Sequence, residues 1–380
     1  MYFPNFSVFS TDVILFILFI LALVAICIHY IMCVFPLASF KNSYIEQGAD
    51  EVPVSIIICA RNEDDNLTEY LPKILTQNYS NFEVVVVNDC SYDNTENVID
   101  EFAKIFPNLK KVTIKEDEYY KHGKKYAVLI GIKGAQHNHL LFTDADCFPA
   151  DANWLKSMAS GFVNKKEIVL GYGAYQKTDG FLNKLIRFDT FLIATHYLSA
   201  AIKGKAYMGV GRNLAYTKEL FYKEKGFAKH YHLTSGDDDL FINQACSIEN
   251  TNIALSQSAT TLSIPKKTFT DWKRQKQRHL TTAPHYNSQS KSRITIAYAS
   301  QYLFYISLIS LLFFKTTWLI ALGGLFIKII VQLAAFNKAS KKLHEPDLWQ
   351  FSFVYELLLL LIYPIFHISK LLQTTNKWKS

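Results

Sequence analysis

The sequence predicts an α/β domain, built on a mostly parallel sheet and flanked by transmembrane helices. Two observations predict it. From Val52 onwards, apolar runs take turns with helix-patterned stretches, and each run is continuous instead of alternating residue by residue; such runs mark strands covered on both faces. Four further segments, Val13 to Phe35, Ile294 to Phe314, Trp318 to Phe336 and Trp349 to Ile368, are apolar enough to cross a bilayer at roughly 20 residues per span. The mixed-polarity chain between the first and second has a globular composition.

Three regions follow in order. Residues 1–40 form an N-terminal transmembrane anchor, because the first apolar segment lacks the basic start and small-residue cleavage site of a removable signal. Residues 50–286 form the globular domain. Its strands and helices are expected as VSIIICA, NLTEYLPKILTQ, FEVVVVND, TENVIDEFAKIF, VTIK, KKYAVLIGIKGA and LLFTDAD, with a polybasic interfacial helix over about 266–282. Residues 293–380 carry about three more apolar segments. Asn42 to Glu51 reads as a linker, and Asn287 to Arg293 as a polar, serine-rich lead into the second span.

Charge gives an orientation. The twelve residues before the first span hold no Lys or Arg, whereas Lys41 follows it and WKRQKQRH precedes the second. The positive-inside bias therefore places the globular domain in the cytoplasm, on a multi-pass protein of the cell (inner) membrane. Lys338, Lys341 and Lys342 agree. Four full crossings would leave Lys370, Lys377 and Lys379 outside, so one C-terminal segment is expected to be re-entrant or interfacial, with Gly323-Gly324 and Pro364 as breaks. The net charge of +7 lies mostly near the membrane, which suits anionic lipid and phosphorylated substrates and argues against nucleic acid. Six cysteines without CxxC or zinc spacing are read as reduced thiols.

Ligands gather at the carboxyl ends of strands in open α/β sheets, and three of the runs end there in polar clusters: Arg61-Asn62-Glu63, Asn88-Asp89 and Asp144 to Asp146. In TDADC, Asp144 and Asp146 on a strand would point the same way and repel, a cost that a hard divalent cation relieves; a simple turn is the plainer alternative. In VVNDCSYDNT, residues 93–95 have the types that cap a helix, while Asp89 precedes the turn and is placed to accept a base's imide N–H. Lys124 and Lys125 open a helix, where an anion is favoured, although a solvated surface pair is the plainer reading of the two, above all of Lys125. Asp237, Asp238 and Asp239 suit a helix first turn, but three in a row raise at least one pKa towards that of a general base. Along WKRQKQRHL, Lys273, Arg274 and Lys276 read as lipid-binding, and the i, i+3 pair Gln275 and Arg278 as a joint grip on a diphosphate.

In this order, VSIIICARNEDDNL, VVVVNDCSYDNT, GKKYA, TDADC, GVGRNLAY, SGDDDL and QKQRH resemble the motifs of the family 2 inverting glycosyltransferases. The membrane-bound branch of that family includes cellulose, chitin and hyaluronan synthases and ceramide glucosyltransferase. The resemblance covers Pro53 to His279 and implies a GT-A (Rossmann-like) fold. It implies an enzyme that moves a sugar, with inversion, from a nucleotide-diphosphate sugar, UDP-linked in those relatives, to a hydroxyl of a membrane lipid, lipid-linked glycan or polysaccharide. By position, Ala60, Arg61, Glu63 and Asp89 would hold the nucleotide; Lys124, Gln275 and Arg278 the diphosphate; Asp144 the donor; and Asp146, with Asp144, Mg²⁺ or Mn²⁺. The family's E-D-x-D-L register makes Asp237 the base, and a shift by one makes it Asp238. His279 stands where the family's motif has tryptophan, which favours single-sugar transfer over a processive polysaccharide synthase. A metal-dependent nucleotidyltransferase and a non-catalytic membrane scaffold are the alternatives of other classes.

Overall fold

The computed structural model describes residues 11–40, 52–115, 123–233, 235–314 and 317–371. The expected linker at 42–51 and the orienting lysines Lys41, Lys377 and Lys379 lie outside the described residues. Two compact units divide the chain, one formed by the segment from Phe40 to Tyr286 and one by the apolar helices that flank it in sequence.

In the first unit the strands are β1 (Val54–Ala60), β2 (Phe82–Asp89), β3 (Leu109–Ile114), β4 (His139–Asp144), β5 (Cys147–Pro149), β6 (Ile168–Gly171), β7 (Gly173–Tyr175), β8 (Leu214–Thr217), β9 (Thr251–Ala254) and β10 (Thr261–Ser263). Seven of them form one sheet in the order β3-β2-β1-β4-β8-β6-β9, and β5-β10-β7 form a second. β1 pairs parallel with β2 and β4, with Ala60 opposite Asn88 and Cys59 opposite Asp144. That register is why the polar ends of three separate runs share one sheet edge. β8 enters antiparallel between β4 and β6, so the sheet is mixed but mostly parallel.

Burial explains the continuous apolar runs. Ile56, Ile58, Val84 and Val86 pack with Leu67, Leu71, Ile74, Val98 and Ile99 in one cluster. Side chains two apart share a face, so Ile57 and Val87 look the other way, towards the helix Lys124–Gly134, where a Cβ on Gly131 would collide with both. The missing side chain brings this helix directly onto the sheet and delivers its first residue, Lys124, to the ligand edge.

Among the described residues, the second unit holds four helices long and apolar enough to span a membrane: Val13–Cys33, Ser288–Leu312, Trp318–Lys342 and Ser352–Lys370. Neither expected break interrupts its helix. At Gly324 the absent Cβ makes room for the Phe19 ring, the close approach that small residues permit between apolar helices. Pro364 lies inside the helix Ser352–Leu371, and the Leu360 carbonyl four residues earlier, deprived of its usual N–H donor, accepts the Tyr302 hydroxyl at 2.7 Å. A buried polar network joins all four helices, with Lys328 Nζ donating to Glu356 (2.8 Å), Gln332 (2.7 Å) and Tyr305 (3.1 Å), and Tyr30 donating to Glu356 (2.6 Å).

Candidate functional site

The loops after β1 and β2 are laced together. Asn62, in a left-handed conformation (φ 57°), donates its N–H to Ser91 Oγ and accepts from the Tyr92 N–H, both at 3.0 Å. The Glu63 N–H reaches Thr95 Oγ1 at 2.9 Å, and Asp93 accepts from Thr95 N–H at 3.0 Å and Asp64 N–H at 3.3 Å. Ser91, Asp93 and Thr95 therefore brace the loops that present Ala60, Arg61, Glu63 and Asp89. Ala60 and Asp89 are the buried last residues of their strands. Burial pushes the Glu63 carboxyl up against its 2.6 Å bond from Asn66, and nearby Asp146 and Asp144 push it the same way.

Asp144 and Asp146 are not two positions of one strand. β4 ends at Asp144, a turn carries Asp146, and β5 begins at Cys147. One ligand atom from each of Asp144, Asp146 and Cys147 lies within 4.8 Å of the others. The Cys147 thiol faces Ser263 Oγ at 2.9 Å, and burial raises its pKa well above the usual thiol range, so it stays protonated. The two carboxylates supply oxygen ligands, the donor type that fits Mg²⁺ or Mn²⁺.

Lys124 donates to Asp144 Oδ1 at 2.7 Å and approaches Asp237 Oδ2 at 3.5 Å. Burial favours neutral forms of both Lys124 and Asp144, but the pair outweighs it: the Asp144 carboxyl is held below its ordinary range, with help from Arg212 and Arg278, and the Lys124 ammonium is held above its own. Lys125 corrects the solvated-pair expectation. It is buried and donates to the carbonyls of His230 (2.5 Å) and Leu233 (3.1 Å), just ahead of the acidic run, and burial pushes it down to about 8.

The three consecutive aspartates do three different jobs. Asp239 accepts from the Thr282 hydroxyl and from the Tyr286 hydroxyl (2.7 Å), tying the acidic run to the segment after the basic helix. Asp238 is the N-cap of the helix Asp239–Ala245; its oxygens accept from Asp239 N–H and Gly211 N–H, each at 2.7 Å. Burial, then Asp237 and Asp239, push Asp238 up to about 7. Asp237 has the Lys124 ammonium beside it and a side chain 12% exposed. Lys124, Asp144, Gly211, Asp237 and Asp238 line one pocket together with Ile57, Cys59 and Phe142.

The basic helix spans Phe269–His279. Lys276 is not available to lipid: it is buried in a salt bridge with Asp189. Gln275 Oε1 accepts from Tyr175 OH at 3.3 Å. Arg278 is exposed, and its field helps to hold the Asp144 carboxyl down. The structure thus unites Lys124, Asp144, Asp237 and Asp238 in one pocket with Asp146 a turn away; Ala60, Arg61, Glu63 and Asp89 lie on the neighbouring strand ends, and Gln275 and Arg278 come from a separate helix. Arg212 and Tyr175 were not singled out by the sequence. Arg212 has its guanidinium 4.4 Å from the Tyr175 ring centroid and within the field of Asp144 and Asp146, and its only signal in the sequence is its place in GVGRNLAY.

Comparison with known proteins fixes the class. The Glycosyl transferase family 2 profile matches residues 55–224, and that stretch is a family 2 glycosyltransferase domain. The chain is similar to a glycosyltransferase of Haemophilus influenzae, 28% identical over 122 residues, covering 32% of this chain and 36% of the relative. It is also similar to the poly-beta-1,6-N-acetyl-D-glucosamine synthase of Staphylococcus epidermidis, 31% identical over 93 residues, covering 24% and 21%. The matches thus span 36% or less of these two relatives. A mannosyltransferase from Pyrobaculum calidifontis, solved with GDP-Man and Mn²⁺, shares the fold at a TM-score of 0.54 and 16% identity, covering 92% of this chain and 98% of that one.

Proposed function

We propose that the protein transfers one sugar from a nucleotide-diphosphate sugar to a hydroxyl of a membrane lipid or lipid-linked glycan, inverting the anomeric centre, with Asp237 as the base. One observation carries this: Lys124 stands between Asp144 at 2.7 Å and Asp237 at 3.5 Å, so an anion-binding cation, a metal-type carboxylate and a candidate base meet in one pocket. Asp238 and Asp239 are committed to backbone amides and hydroxyls, which leaves Asp237 to face a substrate.

Asp237 takes the proton of the acceptor hydroxyl as its oxygen attacks the sugar C1; the bond from C1 to the diphosphate breaks, and the nucleoside diphosphate departs with the bonding electrons. Lys124 and Arg278 face the charge that develops on the leaving diphosphate. Asp146 and Asp144 would hold Mg²⁺ or Mn²⁺, which when bound would supply Lewis-acid charge for the leaving diphosphate. Asp89, Glu63, Arg61 and Ala60 take the nucleoside. The UDP assignment follows the family resemblance, and the shared fold of the mannosyltransferase solved with GDP-Man makes GDP-sugars the competing donors.

The four apolar helices and the lysines beside them support a multi-pass protein with this domain in the cytoplasm. A polysaccharide product is the second reading, favoured by the likeness to the poly-N-acetylglucosamine synthase. Membranes containing the protein, given labelled UDP- and GDP-sugars, should place label in a lipid extract. Label in insoluble polymer would favour the second reading, and release of pyrophosphate instead of a nucleoside diphosphate would contradict sugar transfer altogether.

A further inference from the structure

We propose that Arg212 is a donor-binding residue, a fixed cation for the diphosphate, and that Tyr175 positions both it and Gln275. The inference rests on the reading of this pocket as the donor site.

The mounting of Arg212 is rigid from both sides. It occupies the middle of a single helical turn, Gly211–Asn213. The Gly211 N–H is held by Asp238 Oδ2 at 2.7 Å. Asn213, fully buried, donates to the carbonyls of Tyr172 (2.9 Å) and Ala259 (2.7 Å) and accepts from Trp154 Nε1 (3.0 Å). The side chain is equally constrained: it donates to Ser263 Oγ at 3.0 Å and the Gly173 carbonyl at 2.9 Å, and lies on the Tyr175 ring. These two bonds engage two of the five N–H donors of a guanidinium. The planar fork matches diphosphate oxygens, and a fork already fixed loses little freedom on binding them.

Bracing two strands is the plainer role, but it does not call for this residue. β7 and β10 already pair through their backbones, Gly173 opposite Thr261 and Tyr175 opposite Ser263. Ser263 Oγ, the Gly173 carbonyl and the Tyr175 ring are all uncharged, so as a brace alone the group would be a cation taken from water for neutral partners. Against burial, Tyr175 and Cys147, and after them Asp144 and Asp146, favour its charged form, and a metal and diphosphate at those two carboxylates would bring it a close counter-anion.

Tyr175 extends the arrangement. Its ring supports Arg212, and its hydroxyl donates to Gln275 Oε1, which turns the Gln275 amide so that its N–H donors face away from Tyr175. One tyrosine thereby sets a donor from the 211–213 turn and another from the helix Phe269–His279.

Calorimetric titration of the detergent-solubilised full chain with UDP, GDP and UMP, each with Mn²⁺ and with EDTA, tests this beside melting curves. Arg212→Met should weaken the better-bound nucleoside diphosphate about 10- to 100-fold and UMP much less, with an unchanged melting temperature. Arg212→Lys should recover part of the loss, and Tyr175→Phe, which keeps the ring, should cost only a few-fold. Wild-type affinity in Arg212→Met overturns the inference, as does a lowered melting temperature with affinity per folded molecule intact, the signature of a brace. If the wild-type protein itself binds neither diphosphate, the donor-site reading falls first and this inference with it.

Discussion

Two lysine–carboxylate pairs of nearly equal length stand in opposite settings: Lys124 Nζ is 2.7 Å from Asp144, and Lys328 Nζ is 2.8 Å from Glu356. The second pair is sealed. Lys328 is 0% exposed and Glu356 7%, and Gln332, Tyr305 and Tyr30 fill further hydrogen-bonding positions. In the first pair the side chains are 31% and 30% exposed, and a second carboxylate, Asp237, stands at 3.5 Å. Enclosed among partners, an ion pair holds helices together. Left open and in carboxylate excess, the same chemistry leaves room for the cation and anion proposed to bind there.

The widest gap between the pairs should appear when the open one loses the neighbouring carboxylate proposed to hold the metal. Asp146→Asn is expected to cut transfer by about 10³-fold and abolish the Mn²⁺ stimulation of nucleotide binding, while the melting temperature holds. The same loss of binding in a variant that also melts early would break the contrast.

In the sealed pair, Lys328→Met leaves a buried carboxylate without its cation and should destabilise by about 3–5 kcal/mol. Adding Glu356→Met should restore most of that. Nucleotide titration should show wild-type affinity in the folded fraction; weakened affinity there would give the network a role in the site.

Lys124→Met is the counterpart in the open pair. It should weaken diphosphate binding about 10- to 100-fold and move the melting temperature little, because solvent reaches both partners. A melting loss as large as that of Lys328→Met would make the two pairs equivalent.

These contrasts also show what the sequence could carry. Strand ends at Ala60, Asp89 and Asp144 were legible because continuous apolar runs stop there, and parallel register alone then brings them to one edge. The partners of Lys125, Lys276 and Lys328 were not. Lys125 binds carbonyls more than 100 positions away, Lys276 pairs with Asp189, and Lys328 with a glutamate on another helix; no local pattern encodes such contacts. The antiparallel entry of β8 was equally hidden, since LAYT carries no sign of strand direction. Gly323-Gly324 and Pro364 read as breaks because composition shows the weak point and not the Phe19 ring or Tyr302 hydroxyl that accommodates it.

The smallest effect expected is a pH slope. Asp238 titrates near 7 in the folded state, against about 4 for an ordinary unfolded carboxylate. The folded protein therefore binds the extra proton between those values, so this group's contribution is fully present below about 4 and is lost as pH rises to about 7. Melting temperatures taken from pH 5 to 8 should fall with rising pH more steeply in the wild type than in Asp238→Asn. Parallel curves would mean Asp238 titrates like any exposed carboxylate.

Single-turnover transfer with donor already bound, compared between Asp237→Asn and Asp238→Asn, bears on the site most directly. Asp237→Asn should bind donor normally and lose about 10²- to 10⁴-fold in turnover, while Asp238→Asn, a cap and a brace, loses less than tenfold. Wild-type turnover in Asp237→Asn, or the larger loss in Asp238→Asn, would contradict the assignment of the base.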